Sequence, residues 1–318
     1  MYHSGMGAIT ASGSHLRGLL AVALVLLIAG CSAPQERGRP LAIGVESQYA
    51  DVLSQIGGPY IRVRSILSNP NTDPHAFEAN PTVAREVSGA ALVVINGLGY
   101  DAWITRIMAA SPTARRQVID VRRLLGRPAD TVNPHLWYDP RTMPVVAAAA
   151  ARAFSALDPA HAVYFATQAQ RFSASLNTWR AALEAFRAHH GGTAVAVTEP
   201  VANALLRAAG CRILTPRALQ LAVMNGTDPA PQDVAAQRAL LRDHRVQVLV
   251  YNQQVTDPLT ASFLQLARAE HIPVVGVYET LPQGYHYQDW MLAELQALRA
   301  AVTRGVSTRR LGPPGHAR

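Results

Sequence analysis

Two histidines in this chain sit directly after prolines, His75 in NTDPH and His135 in NPHLWYDP. Proline fixes its own φ and drives the residue before it toward an extended conformation, so Asp73-Pro74 and Asn133-Pro134 are stiff local brackets. An imidazole on a stiff bracket loses little backbone entropy when something binds it, and imidazole is the commonest metal ligand. Either histidine alone reads as a surface turn residue. Two of them, 60 residues apart, point to one site assembled from separate parts of the fold. Two carboxylates extend the set: Glu199 directly follows the apolar run AVAVT, and Glu279 directly follows PVVGVY. Two imidazoles and two carboxylates suit four-coordinate zinc, and with bidentate carboxylates they also suit manganese. Any single carboxylate in such a place is as ready to cap the next helix, because Glu199-Pro200 precedes VANALLRAA. The case rests on the set of four.

These residues need elements to position them. LAIGV (41–45), IRVRSIL (61–67), ALVVIN (91–96) and QVIDV (117–121) read as strands, with helical patterns between them at 49–56 and 81–87. The alternation resumes with AVAVT (194–198), VQVLVYN (246–252) and PVVGVY (273–278). Short apolar strands alternating with helices imply parallel sheets covered on both faces, hence two Rossmann-like α/β domains. In such sheets ligands bind beyond the carboxyl ends of the strands, which is where Glu199 and Glu279 fall and toward which the loops bearing His75 and His135 lead. Between the domains, Asp158-Pro159 opens and Gly191-Gly192 closes a helical stretch. Within it Phe165, Ala169, Phe172, Leu176, Trp179, Leu183 and Phe186 recur at spacings of four and three, one apolar stripe with a period close to 3.5. We read it as one long rigid helix lying along both domains, with the metal site in the interdomain cleft.

The amino terminus addresses the protein to an extracytoplasmic surface. The apolar run LLAVALVLLIAG (19–30) has the length of a signal-peptide core and ends at Ile28-Ala29-Gly30-Cys31. That sequence is similar to a bacterial lipobox, whose cysteine receives the lipid. The expected organisation is a lipoprotein signal peptide (1–30), a tether (31–40), an N-terminal domain (41–157), a linking helix (158–190), a C-terminal domain (191–303) and a disordered Arg-rich tail (304–318). All 29 basic residues are arginine, and the net charge is +8. Removing 1–30 leaves +7, of which the tail carries +4. The body is near +3, with no basic stripe for nucleic acid. The other cysteine, Cys211, follows Gly210 and precedes Ile213-Leu214, as a buried structural thiol would. Neither an HExxH helix nor a GxSxG elbow is present, which argues against a metallohydrolase or serine hydrolase.

The segments ILSNPNTDPHAFEANP (66–81), ALVVINGLGYDAWI (91–104), NPHLWYDP (133–140), VTEPVANALLRAAG (197–210) and VYETLPQGYHYQDWM (277–291) together resemble the metal-specific substrate-binding lipoproteins of bacterial ABC transporters. The resemblance covers about residues 41–303, with the motifs in the same order. It implies a monomeric, lipid-anchored binding protein and no enzymatic activity. It further implies that Zn2+ or Mn2+ is captured by His75, His135, Glu199 and Glu279 and handed to the permease and ATPase subunits. His286, seven residues past Glu279, is the alternative fourth ligand. Two departures from the family pattern stand out. No histidine-rich loop lies between the first two ligands, and Asn252 in LVYNQQ stands where many members have glutamate.

Overall fold

The computed structural model describes Met1 and residues 38–69, 77–255 and 257–313. His75 and the lipobox ending at Cys31 lie outside the described residues. The first sheet comprises β1 (Leu41–Glu46), β2 (Arg62–Leu67), β3 (Leu92–Ile95) and β4 (Gln117–Asp120), in the order β2-β1-β3-β4. The second comprises β5 (Ala194–Val197), β6 (Arg212–Ile213), β7 (Val248–Asn252) and β8 (Val274–Val277), in the order β6-β5-β7-β8. All strand pairs are parallel. The same order is thus used twice, each time with its reversal between the first and third strands of the sheet.

Burial explains the strand sequences. Every residue of β1, β3, β7 and β8 is buried, so both faces of those strands are covered and an unbroken apolar run is required. β2 lies at an edge, and its Arg62 and Arg64 are exposed. A glycine is needed within β1, because a methyl group at Gly44 would collide with the backbone of Ala50 in α1 (Ser47–Gly57).

The remaining helices of the first lobe are α2 (Pro81–Ser88), α3 (Ala102–Ala110), α4 (Val121–Leu124) and α5 (Thr142–Leu157). The connector 158–190 is helical nearly throughout, with one interruption. After a 3-10 turn at Pro159–His161 come α6 (Ala162–Ser175) and α7 (Asn177–His190), separated by Leu176 at φ −73°, ψ −9°. Ser175 Oγ donates to Phe172 O at 2.7 Å, and Arg180 Nη1 donates to Ser173 O at 3.2 Å. Side chains thereby occupy carbonyls that a continuous helix would use. The apolar stripe is buried along its whole length.

Beyond the connector lie α8 (Asn203–Ala208), α9 (Arg217–Met224), α10 (Pro231–Arg242), α11 (Pro258–Ala269) and α12 (Tyr287–Arg304). Helix α12 packs on both α7 and β8 and ends at Gly305, which takes the left-handed φ of +67°. Trp137, Tyr138, Tyr287 and Trp290 belong to one apolar core that also contains residues of β1, β3, β5, β7 and β8. A second cluster around Leu219, Leu241, Leu249 and Phe263 covers the other face of the second sheet. Cys211 is buried, as expected, and burial pushes its thiol up to about 11.

The tail departs from expectation. Residues 305–313, read from composition as disordered, run along the open edge of β8. Gly276 N donates to Thr308 O and Thr308 N to Val274 O, both at 2.8 Å. Tyr251 Oη donates to Arg309 O at 3.1 Å, and Leu311 N donates to Tyr278 Oη at 2.9 Å. The cause is the exposed strand edge, which needs partners that a short polar segment supplies. Gly276, without a side chain, lets the carbonyl of Arg309 sit against it.

Candidate metal centre

His135 and Glu279 meet at the carboxyl ends of the two sheets. His135 lies in the segment between β4 and α5, with Pro134 before it, and is 1% exposed. Glu279 follows β8 directly and is 0% exposed. His135 Nε2 lies 3.1 Å from Glu279 Oε2. Tyr100 Oη donates to the same oxygen at 2.9 Å, and Asn252 Nδ2 donates to Oε1 at 2.6 Å. The backbone of the Glu279 segment is also pinned. Gln254 Oε1 accepts from Glu279 N at 2.6 Å and Thr280 N at 3.1 Å, and Gln48 Nε2 donates to Glu279 O at 3.2 Å.

The imidazole is oriented from its other side. Asn133 Oδ1 accepts from His135 N at 3.0 Å and sits 2.7 Å from His135 Nδ1. An amide oxygen is an acceptor only, so Nδ1 carries the proton and Nε2 turns its lone pair toward Glu279. With the proton on Nδ1, the Nε2 lone pair and a Glu279 carboxylate oxygen face each other at 3.1 Å, a pair of donors that a cation would bridge. A divalent metal fits such a pair, because histidine and carboxylate ligands bind metal in their deprotonated forms. Orientation of a ligating imidazole through its second nitrogen is the common supporting contact of metal sites. Asn133 Nδ2 also donates to Pro200 O at 2.8 Å, tying the bracket to the residue after Glu199.

Glu199 is 3% exposed at the carboxyl end of β5. Among the described residues, no set of three His, Cys, Asp or Glu side chains gathers at metal-ligand spacing. The structure joins His135 to Glu279, and Glu199 is buried at the carboxyl end of β5 in the second lobe. His286 is elsewhere. Its Nδ1 pairs with Asp51 Oδ1 at 2.7 Å, its side chain is largely exposed, and hydrogen bonding to Asp51 raises its pKa above the ordinary histidine range. Asp51 Oδ2 accepts from Tyr287 N at 2.9 Å, so this acid caps α12 and fastens it to α1.

Beneath the site, Glu294 is fully buried with Trp290 Nε1 2.7 Å and Tyr138 Oη 3.0 Å from its Oε1. Burial pushes its carboxyl up to about 8, so it is mostly protonated at neutral pH. Tyr100, Asn133, Asn252 and Gln254 are the contributors that spacing alone did not reveal. Asn133 lies inside the NPH bracket, and Asn252 ends β7 beside the crevice, so both carried a positional signal.

Two parallel sheets of identical strand order, joined by a helical connector and carrying a buried His–Glu pair at their carboxyl ends, define a bilobed binding-protein architecture. The family described as zinc-uptake complex component A, periplasmic (ZnuA) matches residues 46–301, and the chain belongs to it. Among curated relatives, the manganese-binding lipoprotein MntA of Halalkalibacterium halodurans is 30% identical over 36% of this chain and 41% of its own length. MntA of Bacillus subtilis is 27% identical over 50% of this chain and 56% of its own length. The matched segments thus span only about half the length of these relatives. Among solved structures, TroA, the periplasmic zinc-binding protein of Treponema pallidum, superposes with a TM-score of 0.71 at 14% identity, covering 85% of this chain and 100% of that one. FpvC of Pseudomonas aeruginosa in complex with Ni2+ gives 0.68 at 20% identity, covering 85% and 99%. These likenesses share the fold.

Proposed function

We propose that this protein captures one divalent transition-metal ion outside the cytoplasm and delivers it to the permease and ATPase of an ABC importer. The ligands are His75, His135, Glu199 and Glu279, with residues 41–157 and 191–303 forming the two lobes and 158–190 bracing them. The observation that carries this reading is the buried His135 Nε2–Glu279 Oε2 contact, oriented from behind by Asn133. The site's role in this reading is to bind and release the ion. Zinc is the preferred ion, because imidazole and carboxylate donors favour it over manganese in the Irving–Williams order. Relatives named for manganese binding keep that metal as the alternative cargo.

The protein works as a monomer held at the membrane by a lipid on Cys31. No helix among the described residues is long and apolar enough to cross a membrane. The test is metal analysis and competition titration of the purified protein. One zinc per chain is expected, with affinity lowered by orders of magnitude in His75→Ala or His135→Ala. Near-native affinity in the double variant would overturn the assignment. For anchoring, Cys31→Ser is expected to leave the membrane fraction with metal binding intact, and its retention there would count against the lipid anchor.

A further inference from the structure

Glu279 keeps its two carboxylate oxygens in different company. Oε2 faces His135 Nε2 at 3.1 Å and accepts from Tyr100 Oη at 2.9 Å. Oε1 accepts from Asn252 Nδ2 at 2.6 Å, a short, charge-assisted hydrogen bond.

The donor at Oε1 is fixed in place. Asn252 ends β7 and is 1% exposed. Its backbone N donates at 3.1 Å to Oγ1 of Thr198, directly after the neighbouring strand β5. Its amide oxygen accepts from Gln254 N at 3.0 Å. An amide has one acceptor end and one donor end, so the bond to Gln254 turns Nδ2 toward Glu279. Gln254 also holds the main chain of Glu279, through Oε1 at 2.6 Å from Glu279 N. Donor and carboxylate are thus set against each other by the same residue.

This arrangement bears differently on different metals. Zinc in protein sites is four-coordinate and is served by one oxygen of a carboxylate. Manganese favours octahedral shells rich in oxygen and gains from a carboxylate that lends both. To chelate an ion through both oxygens, Glu279 must share Oε1 between that ion and the Asn252 amide. The amide therefore opposes the two-oxygen mode and leaves the one-oxygen mode intact. It also serves the oxygen that a singly bound metal leaves behind, because a buried carboxylate oxygen without a donor is costly.

We propose that Asn252 is a specificity-determining residue, whose amide keeps Glu279 a one-oxygen ligand and so favours zinc over manganese. The proposal rests on the reading of His135 and Glu279 as metal ligands. It adds to the Irving–Williams order a cause of preference that one side chain controls. Discrimination is a difference between two affinities, so its measure is the ratio of zinc to manganese affinity.

The test compares the full chain with Asn252→Leu, a change of nearly equal volume that removes the donor, by chelator competition with Zn2+ and with Mn2+ at neutral pH. With the amide gone, Oε1 is left bare unless the metal takes it. The zinc-to-manganese affinity ratio should then fall about tenfold or more, the scale of a lost hydrogen bond to a charged group. Tyr100→Phe removes a donor from Oε2, the oxygen that either metal uses, so it should shift both affinities alike and keep the ratio within a few-fold. A crystal of the zinc-loaded parent needs no variant to fold. It should show zinc about 2.0–2.2 Å from Oε2, with Oε1 outside the coordination shell and still on Asn252. An unchanged ratio in Asn252→Leu would overturn the proposal. So would an equal fall in Tyr100→Phe, or zinc bound by both Glu279 oxygens in the parent. Glu279→Ala tells the two levels apart. Parent-like zinc affinity there would overturn the ligand reading itself, whereas lost affinity beside an unchanged Asn252→Leu ratio would overturn only the role of Asn252.

Discussion

Asn133→Ala tests the site through a residue that touches no metal. The side chain makes three hydrogen bonds: to His135 N at 3.0 Å, to His135 Nδ1 at 2.7 Å and to Pro200 O at 2.8 Å. Two of the three act on the ligand itself. At about 0.5–1.5 kcal/mol net for each, their loss costs about 1–3 kcal/mol of preorganisation. That corresponds to a fall in metal affinity of about 10- to 100-fold, the range found when a supporting contact behind a ligating histidine is removed. Asn133→Asp is the control. It keeps an acceptor oxygen facing Nδ1, loses the donor to Pro200 and adds a negative charge that makes the imidazole more basic, so its affinity should be far less reduced than that of the alanine variant. The assay is zinc competition against a chromophoric chelator at neutral pH, with the fold checked by circular dichroism. Parent-like affinity in Asn133→Ala would refute the claim that this oxygen fixes the working tautomer. Equal losses in the alanine and aspartate variants would refute it too, because the acceptor would then be irrelevant.

Three further outcomes follow from the packing. Glu294 has a folded pKa of about 8 against an ordinary 4.5, so its contribution to stability is fully present below about pH 4.5 and is lost as pH rises through 8. Glu294→Gln keeps the acceptor for Trp290 and removes that loss, worth about 3 kcal/mol at pH 7, so thermal melts should show the variant gaining on the parent from pH 5 to pH 8. Deleting the residues after Gly305 removes the strand-edge contacts of Thr308, Arg309 and Leu311 and should lower the thermal midpoint, whereas a disordered tail could be cut without effect. Asp51→Asn should return the His286 titration, followed by NMR, downward to the ordinary histidine range, because hydrogen bonding to Asp51 is what raises it.

The strands were legible in the sequence because parallel strands buried on both faces must be continuous apolar runs, as LVVI of β3 and VLVYN of β7 are. Strand β6 escaped because two residues carry no pattern. The stripe from Phe165 to Phe186 correctly predicted a buried helical face. It could not show the interruption at Leu176, beside which the side chains of Ser175 and Arg180 bond carbonyls of the preceding turn. The tail misled because low apolar content reveals nothing about an open strand edge elsewhere. At the candidate site, a proline bracket and a strand end single out His135 and Glu279 in the sequence, and the structure places the two in contact. Tyr100 and Gln254 were not, since their contacts to Glu279 cross 179 and 25 residues and exist only once the sheets are placed. Asn252 read only as a missing glutamate, and its amide proves to hold the glutamate that is present.

The central claim is that a divalent metal binds between His135 and Glu279. Crystals grown with zinc and measured on both sides of its absorption edge test this directly. The account predicts one anomalous peak per chain, about 2.0–2.2 Å from His135 Nε2 and from a Glu279 carboxylate oxygen, with Asn133 still on Nδ1. A zinc-saturated protein whose anomalous peak lies elsewhere, with the His135–Glu279 contact still at 3.1 Å, would contradict it.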